Sequence, residues 1–182
     1  KLHQEDINRI LENKNMEEKL KQVHILQGDI FLERGWLNKA MKAYESSGAE
    51  VPKEKIITRC DDLVLEDVKR TTAAYMHHDR VREIIDTYGL VGAKDKLIEL
   101  GDYLSKKLGG GNNETKKPRE NALRAYQKAG ATDKIVELGD SVFQNKYNYT
   151  DLIIEGFKFY EAAGIEIPDE KLIKYADALV IE

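Results

Sequence analysis

An all-α fold, built by stacking about four to five copies of one helix pair, is what this sequence predicts. Three observations carry the prediction. The first is self-repetition. The stretch GAKDKLIELGD, Gly92 to Asp102, returns 38 residues later as GATDKIVELGD, Gly130 to Asp140, with eight of eleven letters identical. The second is a set of marks that recurs beyond those two copies. Tyr-x-x-x-Gly starts at Tyr44, Tyr88, Tyr126 and Tyr160. Each Gly is followed by a Lys (Lys55, Lys96, Lys134, Lys171) and, six residues on, by an Asp after a small residue. The third is period: in DKLIELGDYLSKKL the apolar residues Leu97, Ile98, Leu100, Tyr103, Leu104 and Leu108 fall at helical spacing, not strand alternation.

The elements follow in order. An N-terminal region, 1–22, is expected to hold a helix at about Gln4 to Asn13. A helix over about Met16 to Glu33 serves as helix A of the first unit. Repeat units are expected at 23–52, 53–92, 93–130 and 131–168, and a terminal helix closes the array within 169–182, the whole chain 1–182 forming one array. Within a unit, helix A leads through a loop to helix B, and a Gly able to take positive φ ends helix B. Thr132 or Asp133 is expected to cap the helix after Gly130. The Gly-to-Lys link has a short form, GAKDK and GATDK, and a longer form carrying Pro, GAEVPKEK and GIEIPDEK. Gly28, Gly101 and Gly139 on helix A, and Ala40, Ala122 and Gly156 on helix B, would let the helices approach closely. The Tyr is expected to fill the space between units with its hydroxyl at the wet edge. A single pair of this size cannot bury its own apolar face, so stacked copies share one core.

In LQGDIFLERGWLNKAMKAYESSGAEVP the small and aromatic residues Gly28, Phe31, Ala40, Tyr44 and Pro52 stand at the spacing of the tetratricopeptide repeat, which this unit resembles. It departs from that pattern at His24, Gln27 and Ser47. The later units keep the Gly-Asp, Ala, Tyr and Gly-turn marks but are longer between the helices. The resemblance covers about Val23 to Glu182. It implies a right-handed superhelix of antiparallel helix pairs, a tetratricopeptide-like α-α superhelix, that binds segments of other proteins on its concave face.

Composition limits the function. A net charge of -4 argues against a nucleic-acid partner, since phosphates call for a basic face. The basic run in ETKKPRE, with Lys116, Lys117 and Arg119, is flanked by acids. No apolar run approaches the roughly 20 residues of a membrane span, and no signal-peptide pattern is present. One cysteine, Cys60, cannot form an internal disulfide, so a soluble, cytoplasmic protein is the default expectation. The chain begins at Lys1, as a fragment or a processed chain would.

The sharpest candidate site is the ladder Asp29, Asp61, Asp102, Asp140 and Asp177. The resemblance implies that these positions face the concave groove, where they would form an acidic stripe for a basic partner segment. The alternative is that each Asp bonds a neighbouring repeat's Tyr, Lys or backbone N–H and merely sets repeat spacing. Glu54, Asp95, Asp133 and Glu170 near the helix-A starts are explained by the helix dipole. Trp36, at a turn, is a candidate partner hot spot or a hydrophobic cap of that turn.

Other motifs point to little chemistry. MHHD, Met76 to Asp79, holds adjacent His residues that diverge on a helix and are poor joint ligands, so no metal is expected and a solvated loop is the simpler reading. LGGGNNETKK lacks the Gly-Lys-Ser/Thr ending of a phosphate loop and reads as a linker over Gly109 to Asn113. The sequons at Asn113 and Asn148 carry little weight. No nucleophile motif and no cofactor site is recognisable. The expected function is a non-enzymatic protein-interaction scaffold. The alternatives are a regulatory domain that binds a small molecule between helices, and a structural or oligomerisation segment of a larger protein. Neither the partner nor the oligomeric state is legible.

Overall fold

The computed structural model describes residues 16–69, 77–106, 116–143, 150–173 and 176. The expected helix at Gln4 to Asn13, the linker Gly109 to Asn113, both sequon asparagines, Met76 and Asp177 lie outside the described residues. Every regular element among the described residues is helical. In order these are α1 Met16–Glu33, α2 Leu37–Ser47, α3 Lys53–Leu63 with a π-helical continuation Val64–Lys69, α4 His78–Val91, α5 Lys94–Lys106, α6 Lys116–Ala129, α7 Thr132–Phe143 and α8 Thr150–Ala163. A further helical stretch occupies 169–173. The chain divides into two compact units, Lys1–Arg70 and Thr71–Glu182, a division that falls inside the expected repeat 53–92.

The helices form because their apolar residues share one face. On α4 the buried apolar residues are Val81, Ile84, Ile85, Tyr88 and Val91, a three-four stripe. The duplicated motif makes two such stripes in one register. Leu97, Leu100, Gly101 and Leu104 are buried on α5, and Ile135, Leu138, Gly139 and Val142 on α7. In the first unit α1 packs on α2 and α3 on α1; in the second α5 packs on α6, α7 on α8, and α4 on α6.

The Tyr-x-x-x-Gly spacing has a backbone cause. At Gly92 the chain turns with φ +76°, and the Ala93 N–H donates to the Tyr88 carbonyl at 2.9 Å. The same bond joins Ala131 to Tyr126 at 2.9 Å and Ile165 to Tyr160 at 3.1 Å, each across a Gly at positive φ. This is the Schellman stop, whose capping Gly stands four residues after the carbonyl it helps satisfy. At Gly48 a hydroxyl intervenes. Ser47 Oγ donates to the Tyr44 carbonyl at 2.5 Å and accepts from the Ala49 N–H at 3.0 Å. The departure at Ser47 is thus a hydroxyl relay across the same turn.

The close approach falls where the sequence places it. A Cβ on Gly28 would stand 2.5 Å from the Tyr44 ring, and one on Gly101 2.5 Å from the Tyr126 ring. Tyr44 and Tyr126 thus lie across the Gly of their own helix pairs, with the next unit's Lys at the same network. Tyr44, Tyr88, Tyr126 and Tyr160 are all nearly fully buried. Gly156 plays the matching role on α8, where its Cβ would meet the Phe143 ring at 2.7 Å.

Three local expectations change. Thr132 is the first residue of α7, and the Ile135 N–H donates to the Ala131 carbonyl, so Ala131 occupies the cap position; Asp133 stays in the first turn, where it suits the dipole. Lys116 and Lys117 belong to α6, not to a linker; Pro118 sits in the first turn, where an N–H has no intrahelical partner to lose. His78 begins α4 and His77 precedes it as an exposed N-cap, so this pair starts a helix instead of sitting in a solvated loop.

Candidate functional site

Three of the ladder carboxylates are built into one repeated network. The Tyr44 hydroxyl donates to Asp29 Oδ1 at 2.7 Å, and Lys55 Nζ reaches the same oxygen at 2.7 Å. The Tyr126 hydroxyl donates to Asp102 Oδ1 at 2.8 Å, and Lys134 Nζ lies 3.4 Å from it. Tyr160 and Lys171 likewise converge on Asp140 Oδ1, and the ammonium also bonds the phenol. In each case the Asp stands on a helix A, the Tyr on the helix B that follows, and the Lys at the start of the next helix A.

The chemistry of the three groups suits this arrangement. Burial, then the hydrogen bond to Asp29, pushes the Tyr44 phenol well above its ordinary value. Burial raises the Tyr126 phenol as well, with the bond to Ser105 opposing it and Asp102 adding to it, and burial and Asp140 raise Tyr160. The phenols thus remain protonated donors. Burial pushes the Asp140 carboxyl up, but the bonds from Lys171 and Tyr160 together outweigh it and hold it below the usual range. Lys171 is held above its ordinary value by the same partners, against burial.

In each network the hydroxyl and the ammonium make their closest approach to the same oxygen, Oδ1. The three side chains keep 30%, 36% and 37% of their surface exposed, so each network leaves part of its carboxylate side chain open to solvent. Over the middle network lies a cleft of about 270 Å³ lined by Asp102, Ser105, Tyr126, Lys134, Glu137 and Ser141, among others. Asp61 is half-buried on α3.

Trp36 serves the turn at the end of α1. Its N–H donates to the Phe31 carbonyl at 2.8 Å across Gly35, and the two rings meet at 5.9 Å. That is the apolar contact that accompanies a Schellman stop. The ring nevertheless stays 40% exposed.

Cys60 is fully buried on α3. His78 is half-buried, with its Nδ1 3.5 Å from the Asn121 amide; burial, then Lys117 and Arg82, lower its pKa against Asp79 and Glu120. Among the described residues no cluster of His, Cys, Asp and Glu could hold a metal ion, and no helix is long and apolar enough to cross a membrane.

A second set of charges escaped the sequence reading. Arg119 on α6 makes two parallel bonds to Glu155 on α8, at 2.9 and 2.8 Å, with side chains only 6% and 15% exposed. Arg124 on α6 grips Asp86 on α4 in the same way, joined by Lys128 at 3.1 Å. These pairs join successive B helices as the Lys–Asp contacts join successive A helices. A signal was available: the partners lie 36 and 38 residues apart, about one repeat, with opposite charge.

No protein family, no curated protein and no solved structure matches this chain.

Proposed function

We propose that the chain forms a right-handed, tetratricopeptide-like superhelix of four to five helix pairs and acts as a non-enzymatic scaffold. Its helix-A face would take an extended basic segment of a partner protein. One observation carries this reading. The same Tyr–Asp–Lys network recurs three times, each time with the carboxylate side chain about one-third exposed. Repeated acceptors of one sign suit a linear cationic ligand better than a compact one. Asp29, Asp102 and Asp140 would then serve twice, setting repeat spacing through Oδ1 and meeting the partner through the exposed part of the carboxylate. The polar cleft at Asp102 fits one side chain of such a segment, since it is smaller than the roughly 300–1,000 Å³ of small-molecule sites.

The test is fluorescence anisotropy with labelled Lys/Arg-rich peptides at about 0.05 and 0.5 M salt, where screening shortens from over 10 Å to a few Å. The reading expects saturable binding that weakens strongly with salt. Binding indifferent to salt, or none to any basic peptide, contradicts it.

A second reading has one observation in its favour. A groove of about 420 Å³ on α8 is lined mainly by Ile154, Phe157, Ile165 and Ile167, a volume and an apolar character suited to a small molecule. A ligand there would bind with little response to salt.

A further inference from the structure

We propose that the cluster around Trp36 is a docking site for an acidic peptide segment, distinct from the acidic helix-A face. Trp36 is the chain's single tryptophan, and at 40% exposure it is more open than its role in the turn requires. Two cations flank it. The Arg34 guanidinium lies 5.2 Å from the ring centre and the Lys39 ammonium 4.5 Å from it, with Lys39 also 6.0 Å from the Phe31 ring. Among the described residues neither cation has a carboxylate within ion-pair distance. A third, Arg59, approaches the same turn from α3. Its Nε donates to the Leu32 carbonyl at 3.3 Å, and its charge is shared with Glu66 at 3.7 Å. Glu33 is the other acid in this stretch of the chain.

The rings do two things for these cations. They attract them without neutralising them, so the positive charge stays available to a ligand. They also hold otherwise mobile side chains near one place, which lowers the entropy lost when a carboxylate binds. Trp and Arg are the residues that most often dominate binding interfaces, and here they adjoin on a rigid helix turn. The ligand chemistry follows. Carboxylates of a peptide would meet Arg34 and Lys39, and an apolar side chain beside them would cover the exposed part of the indole. A nucleic acid fits less well: it needs a run of phosphate contacts, whereas this turn offers three cations on a chain of net charge -4.

Because Trp36 is alone, its emission reports this site and no other. The experiment titrates the full chain with an oligoglutamate peptide carrying one central Leu, with oligolysine and oligothymidylate as separate probes. The expected result is a saturable change in Trp36 emission with oligoglutamate only, reversed by salt. R34E/K39E should weaken it at least about tenfold, as reversing rim charges does. Both side chains are exposed, so the helical circular dichroism of the variant should be unchanged. R34Q/K39Q, which removes the charges without reversing them, guards against misfolding. No emission change, equal affinity in both variants, or preference for oligothymidylate would each overturn the proposal. Oligolysine binding that leaves Trp36 emission unchanged would fit the helix-A reading, so the two can fail separately.

Discussion

Tyr126 lies across Gly101 so closely that a methyl group on Gly101 would stand 2.5 Å from its Cε1 atom. The ring cannot retreat, since it is buried and its hydroxyl is tied to Asp102. The same contact at Gly139 is looser, with Tyr160 3.1 Å from the added Cβ. The two glycines therefore separate under one substitution. Ala gains about 1 kcal/mol of helix propensity at either site. Overpacking costs about 1–3 kcal/mol where atoms must shift. Gly101→Ala should lower the melting temperature, by roughly 2–4 °C per kcal/mol for a chain of this size. Gly139→Ala should be near neutral. Equal effects at both sites would mean that the ring yields at Gly101 as easily as at Gly139.

The buried pair Arg119–Glu155 yields a second prediction. Glu155→Met leaves the Arg119 charge buried and uncompensated, which costs about 3–5 kcal/mol. Adding Arg119→Met should recover most of that loss, because two apolar side chains replace two desolvated charges. Urea unfolding of the three variants measures this directly. A double variant no better than the single one would show that the pair stabilises beyond its own desolvation cost.

Stability should fall with acid in two stages. His78 has a folded pKa below the ordinary value of about 6.5, set by burial and by Lys117 and Arg82, with Asp79 and Glu120 opposing. Below about pH 6.5 the unfolded chain takes up a proton that the folded chain refuses, so stability declines from there. Asp140 and Asp86 are also held low. Burial raises both, and the bonds from Lys171 and Tyr160, or from Arg124 and Lys128, outweigh it. Their stabilisation is complete above about pH 4 and is lost as pH falls through their folded values. His78→Gln should remove the first stage and leave the second. Denaturation midpoints measured from pH 8 to pH 3 would show it; persistence of the first stage in the variant would contradict the assignment.

Much of the local structure was legible because it repeats. Leu97 and Ile135, Leu100 and Leu138, and Gly101 and Gly139 share one register, and packing has to reproduce any contact that such a register encodes. Tyr-x-x-x-Gly was visible as spacing, while its backbone cause appears only with the positive φ of Gly92, Gly130 and Gly164. The Asp ladder was visible as well, together with the choice between packing and binding, but the convergence of Tyr and Lys on a single oxygen was not. That depends on which lone pair each donor reaches, which sequence does not encode. The Arg119–Glu155 and Arg124–Asp86 pairs were missed because charges on a helical surface usually look solvated. Lys116 was misplaced because the composition around it resembles a linker.

The central claim is that Asp29, Asp102 and Asp140 serve both packing and partner binding, and Lys134 tests it most directly. Its ammonium lies 3.4 Å from Asp102 and withholds part of that carboxylate's charge from a ligand. Lys134→Met removes the cation and leaves the Tyr126–Asp102 bond in place. The account predicts opposite signs: a lower melting temperature, and tighter binding of a basic peptide in the anisotropy titration. A lower melting temperature with no change in peptide affinity would contradict it and leave the ladder with packing alone.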